Sequence, residues 1–512
     1  MYLIRNILVP VARDVNLNKA ISNKLKISAN KINNIKILRR SIDARKKNFL
    51  KYNLTLIADI DLNLKLDAEL QEYSEPQSYI KDIIKLSNLN PFIIGAGPAG
   101  LFAALSLVEN GFKPYIFDRG ETIDLRAKKV EDFWNNGIFD ENSNVQFGEG
   151  GAGTFSDGKL TSRTRDFYTN KVVDYLIKFG ADASIRYDSL PHLGTDGLRD
   201  IIKNLREFLI EKGCKFFWNS KLENIDIKDN AVSSVTINKE KYFPEIIVLA
   251  IGNSARDTFL MLKDKIKMES KSFAVGFRIE HSQKFINNSF YGEKTDLSLT
   301  GPATYRLTTK YKEKGIYSFC MCPGGFIVAG SSQKDSLVLN GMSFKDRNNR
   351  FANSAIVATV NNSDFGEDLL AGMMFQQQIE KKCFSSDRPY LAPSQNAFNF
   401  MNNSTSNTFT KTSFQPGIFH HDLNTIFPSK ITEAIKFGLT KFDKRAPGFI
   451  ANGLLLAPET RTSSPVRILR DRDTFHANGI LNLYPVGEGS GYAGGIMSSA
   501  ADGFKCGNHF SL

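Results

Sequence analysis

The sequence predicts an α/β fold: a Rossmann domain, split by a β-rich insert and preceded by a small α+β domain. Three observations predict it. The run PFIIGAGPAGLFAALSLVENGFKPYIFDRG (91–120) reads as buried strand, glycine turn, helix and second strand. Residues 215–251 hold short strand-like runs separated by turn residues and end on IIVLAIG. A glycine-rich segment, GEGSGYAGGIMSSAADG, follows much later at 487–503.

Taken in order, residues 2–10 read as a strand and 17–27 as a short amphipathic helix. LTLIADIDL (54–62) alternates like a half-buried strand. These make a basic α+β domain over 1–70, followed by a helix-bearing linker over 71–90. The first part of the Rossmann domain spans 91–270, with further helices near 170–180 and 196–212. Thr195-Asp196 stands as the cap of the second, and Gly213 ends it. The insert spans 271–450, with strands SFAVGFRIE, ATYRLTT, IYSFCMC and FIVAGSS and helices near 367–382 and 429–443. The Rossmann domain then resumes over 451–512.

Composition narrows the function classes. The chain has 512 residues, is 42% hydrophobic and carries a net charge of +12, enough apolar content for large cores. Residues 1–51 hold 13 Lys/Arg against two acids, so the basicity belongs to the N-terminal piece and the body is nearly neutral. Five cysteines argue against a disulfide-built scaffold. No signal peptide is read at the N-terminus, and the uncharged run 86–108 is broken by Pro91, Gly95, Gly97, Pro98 and Gly100, so no membrane span is expected and the protein is read as cytoplasmic. The six histidines show no metal-ligand spacing.

The chemistry begins at GAGPAG (95–100). Gly95 makes the tight turn, Gly97 admits a pyrophosphate, and Gly100 lets the helix pack on the strand. The helix N-terminus, with Pro98 and Ala99, points its free N–H groups at the phosphates. Asp118, with Arg119 beside it, ends the second strand where an acid meets the ribose hydroxyls. A meander crossover and an Ala-x-Gly strand end at Gly252 are the layout of the glutathione-reductase class of FAD domains. In that layout Gly487, Glu488, Gly494, Gly495 and Ile496 touch the ribityl chain and pyrophosphate. The helix starting there aims its dipole at the flavin.

The chain resembles the bacterial family of uncharacterised FAD-dependent dehydrogenases, a branch of the glutathione-reductase-type flavoproteins distantly similar to aminoacetone-oxidase-like proteins. The resemblance rests on RRSIDARKKN (39–48), NVQFGEGGAGTFSDGKLTSR (144–163), HLGTD (192–196), CMCPGG (320–325), APSQ (392–395) and PETRTSSPVRILRD (458–471). It implies an FAD-binding oxidoreductase without implying a substrate. Asp118 departs from it, a Glu being usual there. The resemblance also places Gly150 and Gly151 against the isoalloxazine or pyrophosphate, with Lys159 neutralising charge nearby.

Other candidates carry two readings each. Arg461 and Arg467 suit a substrate carboxylate or phosphate; equally, Arg461 pairs with Glu459 to hold a loop. Cys320 and Cys322 share a strand face in a hairpin YSFCMC-PGG-FIVAG, which admits a redox pair; the CxC spacing without a helix N-terminus favours ordinary half-buried thiols. His192 faces the flavin or hydrogen-bonds a loop. The basic N-terminus reads as a solvated, docking module, with RNA or an acidic partner as the rival. No second dinucleotide fingerprint is present, so NAD(P)H, as an electron donor, would bind transiently over the flavin. The reading is a hydride-transferring FAD oxidoreductase acting through flavin N5 on a small molecule. Its rivals are a flavin- and RNA-binding protein or RNA-modifying flavoenzyme, and a reductase of apolar isoprenoid or acyl substrates.

Overall fold

The computed structural model describes residues 1–75, 77, 84–87, 90–161, 166–405 and 411–511. Residues 76, 78–83, 88 and 89 of the expected helix-bearing linker, and Ser162 and Arg163 of the 144–163 motif, lie outside the described residues; the described part of the linker carries the strands Leu70–Glu72 and Ile84–Lys85.

The N-terminal domain is a four-stranded antiparallel sheet, ordered Ile32–Asp43, Lys51–Ile60, Tyr2–Pro10, Leu70–Glu72. Ile4, Ile7, Leu54, Leu56 and Ala58 form its buried face, which the helix Leu17–Leu25 covers through Ile21. The Asn16 side chain caps that helix and Lys26, in the left-handed region, ends it. Ile32–Asp43 carries no clean alternation and slips register twice against its neighbour, which is why its sequence gave no strand signal.

This domain is docked on the body by the motif that carries its charge. The Arg40 guanidinium forks onto Asp188 at 2.7 and 3.1 Å and lies over Tyr52 and Tyr187. Its backbone exchanges hydrogen bonds with Tyr187 and Ser189, and the Asn48 side chain accepts from the Lys294 amide. Two residues of the basic run therefore serve docking, while Lys46 and Lys47 stay exposed.

The Rossmann domain is a five-stranded parallel sheet ordered Leu483–Pro485, Ile247–Leu249, Phe92–Ile94, Tyr115–Phe117, Lys215–Phe217. The expected meander is a separate three-stranded sheet, Leu222–Lys228, Ala231–Ile237 and Glu240–Tyr242. On one face the fingerprint helix Pro98–Glu109 crosses the late helix Ile496–Gly507 at backbone contact. A Cβ on Gly503 would stand 1.9 Å from the Ala99 oxygen, so the small residues of the second glycine-rich segment are a packing requirement as well.

The insert is built on a seven-stranded sheet ordered Thr308–Tyr311, Lys314–Cys322, Phe351–Val360, Phe273–Ser282, Leu454–Glu459, Ala392–Asn396, Ile418–His420. The helix Ser429–Arg445 packs on it with Gly438 against Ile316. Two expectations need correction. Leu454–Glu459 pairs with both Phe273–Ser282 and Ala392–Asn396, so the domain boundary expected at 450 falls one central strand too early. Lys314–Cys322 and Phe326–Ala329 do not form a hairpin. The first stays in the large sheet, while the second pairs with Leu339–Met342.

Candidate functional site

A cavity of about 280 Å³ lies between the Rossmann domain and the insert. The fingerprint builds one wall. Gly95 has φ +109, and a Cβ there would stand 2.3 Å from the Ala250 oxygen; one on Gly100 would stand 1.9 Å from the Gly95 oxygen. Only glycine allows the turn to close so tightly against the neighbouring strand and helix. Gly100→Ala is therefore expected to cost about 1–3 kcal/mol and to lower the flavin content of purified protein, read by absorbance and by the denaturant midpoint.

Gly95, Gly97, Pro98 and Ala99 line the cavity. Asp118 lines it too, but its carboxylate oxygens accept from the amides of Ala96 and Gly120, both at 2.8 Å. The observed duty of Asp118 is thus to fix the turn, with its remaining lone pairs toward the cavity. Arg119 reaches Asp257 and Thr258 and lies over the Phe147 ring.

The 144–161 loop sits directly on the fingerprint. The Gly150 amide donates to the Ala96 oxygen at 2.8 Å, and a Cβ on Gly151 would meet the Gly97 Cα at 3.2 Å. Arg126, unassigned by sequence reasoning, organises that loop. Its fully buried guanidinium donates to the carbonyls of Asn144, Val145, Gly148, Glu149 and Gly151. The late segment forms the third side: Glu488, Gly494, Gly495 and Ile496 line the cavity, and the helix begins there after Gly495. Gly487 lies behind it, against Ala99. Glu488 is half-buried beside Asn253, whose amide donates to Oε1 at 2.8 Å, and desolvation pushes its carboxyl up to about 7.

The wall where the 144–161 loop meets the insert carries the charge. Lys159 pairs with Asp157 at 2.8 Å, and Asp157 is shared with Arg347. Burial opposes the Lys159 charge, but Cys322, Asp157 and Cys320 together hold it up at about 12. Arg278, fully buried, donates to Glu459 at 2.9 Å and to the Cys320 carbonyl at 2.8 Å. Burial pushes Glu459 up to about 7, against the pull of Arg278.

The geometry does not bring the two arginines of PETRTSSPVRI together, and it gives Arg461 a partner other than Glu459. Arg461 lines the cavity, yet its guanidinium is spent on Glu380, Ser254 and Ser332. It bonds neither Glu459 nor a site shared with Arg467, which pairs instead with Glu269 on the Met268–Ser270 strand. Glu380 accepts from Arg256 as well, forming a buried Arg–Glu–Arg triad. His192 takes the loop role, bonding the Lys345 carbonyl at 3.0 Å. Thr195 and Asp196 do not cap their helix: Gly194 begins it, and they bond Thr154 and Lys345. Among the described residues no helix is long and apolar enough to cross a membrane, and no group of three or more His, Cys, Asp or Glu could hold a metal ion.

Comparison with known proteins decides the family. An uncharacterised protein of Clostridium beijerinckii is 42% identical over 528 residues, covering 99% of this chain and 98% of that one. Residues 272–462 match the family described as FAD-dependent protein, C-terminal domain-like. The chain belongs to this family of FAD-dependent proteins. FAD is its cofactor.

Residues 1–59 match a domain of unknown function. A D-amino acid dehydrogenase of Helicobacter pylori is 24% identical over 111 residues, 22% of this chain and 27% of that one. The solved structure of CtdE in complex with FAD aligns at 10% identity and TM-score 0.31, over 82% of this chain and 83% of that chain. The cavity of this FAD-dependent protein fits the cofactor. At Gly252, Gly494 and Gly495 nothing stands within 4 Å of where a Cβ would be, and Gly97 meets only the Gly151 Cα at 3.7 Å. This leaves a side-chain-free trough along the fingerprint and the helix start.

Proposed function

We propose that the protein is an oxidoreductase that transfers a hydride through FAD, held in a glutathione-reductase-type domain, to or from a small molecule in this cavity. One observation carries the reading. The glycine trough and the charged wall line one cavity, so a cofactor on one side and a substrate on the other share a single space. When bound, FAD supplies two-electron chemistry at N5.

The chain's own residues do the rest. Gly97, Gly151 and the amides at the start of Pro98–Glu109 bind the phosphates. The N-terminus of Ile496–Gly507 brings a positive dipole end toward negative charge in the cavity. Glu488 accepts from Asn253 at Oε1 and is poised near neutrality, so Oε2 can hold a proton and release it. The Arg256–Glu380–Arg461 triad fixes the wall at Ser254.

Anaerobic mixing with NADH, NADPH and a metabolite panel, read at the flavin absorbance band, tests the reading. Bleaching by one member is expected. Protein that is colourless and takes up no FAD on refolding overturns it. In Glu488→Gln the limb of the bleaching rate near pH 7 is expected to disappear, while FAD content is kept.

A further inference from the structure

We propose that Cys320 and Cys322 form a thiol–disulfide exchange site in the cavity wall, with Cys320 as the attacking thiolate and low-molecular-weight disulfides as its substrates. Neither thiol's chemistry depends on the flavin reading above.

The backbone is the first observation. Cys320 has φ +43 inside the strand Lys314–Cys322, a conformation that costs a non-glycine residue strain, and the pairing with Phe351–Val360 slips between Phe319 and Cys322. In a regular strand, residues two apart stand about 6.6 Å from each other, at the upper limit of what a disulfide spans, about 6.8 Å. Cys320 lines the cavity, while Cys322 is fully buried next to it, its thiol donating to the Cys320 carbonyl at 3.3 Å. Both thiols are free.

Charge is the second observation. Arg278 Nη2 stands 3.7 Å and Lys159 Nζ 3.9 Å from Cys322 Sγ. The ion pairs of this wall join three cations, Lys159, Arg278 and Arg347, to two carboxylates, Asp157 and Glu459. One positive charge is left over, and a thiolate balances it. The other titratable neighbours are engaged: the Tyr305 hydroxyl with Ser354, and His192 with the Lys345 carbonyl. The hydrogen bond from Cys322, then Lys159 and Arg278, lowers the Cys320 thiol against its burial, whereas burial raises Cys322. Those are the directions an attacking and a resolving thiol require.

The exchange balances in two steps. The Cys320 thiolate attacks one sulfur of R–S–S–R, forming a Cys320–S–S–R bond and expelling RS⁻. That thiolate takes the Cys322 proton, and the Cys322 sulfur then attacks Cys320 sulfur and expels the second RS⁻. The second RS⁻ takes from solvent the proton that Cys320 gave up on ionising, so one dithiol is oxidised and one disulfide is reduced to two thiols.

The test uses full-length holoprotein, limiting iodoacetamide at pH 7 and peptide mapping. Cys320 is expected to be alkylated about tenfold or more faster than Cys214, Cys322, Cys383 and Cys506. Lys159→Met should remove most of that advantage and Cys322→Ser should keep it. Oxidised glutathione should give a Cys320–Cys322 link in the native chain and a stalled Cys320–glutathione disulfide in Cys322→Ser. Retained flavin absorbance verifies that each variant folds. Alkylation of Cys320 no faster than of the buried thiols, or failure of oxidised glutathione to link the pair, overturns the proposal. Flavin bleaching that persists in Cys320→Ser leaves the oxidoreductase reading intact whichever way the thiol experiment falls.

Discussion

Arg126→Met is expected to lose most of the bound FAD and about 3–5 kcal/mol of stability, the cost of breaking a buried hydrogen-bond network. The side chain is fully buried, lies over the Phe155 ring and donates to five carbonyls of the 144–151 loop. Methionine replaces its volume but none of its donors. The carbonyls are left facing an apolar stem, each unsatisfied one costing about 1–3 kcal/mol. The loop that seats Gly150 and Gly151 on the fingerprint then loses its internal frame. Arg126→Lys should restore only part, because an ammonium cannot reproduce the planar fork. Flavin-to-protein ratio and thermal midpoint, measured together, check this; wild-type values for both in Arg126→Met contradict it.

Glu380→Ala is expected to destabilise the chain by a similar amount, about 3–5 kcal/mol. It leaves the Arg256 and Arg461 guanidiniums buried without a counter-charge, and Thr460 also loses its acceptor. The triad ties three separate segments of chain, so the loss should appear as lower cooperativity as well as a lower midpoint. Burial alone would raise the Glu380 carboxyl, but the two arginines hold it down to about 2 from an ordinary 4.5. A depressed folded-state value adds stability above the ordinary range, which fades as pH falls from about 4.5 to about 2, some 3 kcal/mol in all. Glu380→Gln should lack that part of the acid-denaturation limb. An unchanged acid limb in Glu380→Gln rules out the triad as its source.

The glycine trough was legible because its determinants are local. Gly95, Gly97 and Gly100 lie within one turn, and the late glycines within a few residues of the helix they start. The charged wall was not legible because its partners meet only in the folded chain. Arg278 stands out as a lone cation in SFAVGFRIE, yet its partner Glu459 is 181 positions away. Glu380 lies 124 positions from Arg256 and 81 from Arg461, so no periodicity links them. Arg461 and Arg467 looked like a pair because they are close in sequence; the strand Val466–Ile468 carries the second away to Glu269. Cys320 and Cys322 read as ordinary strand residues because a left-handed turn inside a strand leaves no compositional trace. The boundary at 450 failed for a related reason: a strand inserted at the centre of a sheet looks the same from sequence as one that opens a new domain.

The position of Leu483–Pro485 has a consequence for biosynthesis. This edge strand, and the helix after it that crosses the fingerprint helix, come from the far end of the chain. A ribosome delivers Phe92–Ile94 and its glycine turn early and their last partners near the end. The whole insert is made in between, so it has to collapse while the nucleotide-binding sheet is still missing an edge. Non-local pairing of this kind closes slowly. Nascent chains stalled before residue 483 should therefore be recognised by chaperones and unable to retain flavin, and chains extended past the helix Ile496–Gly507 should load it.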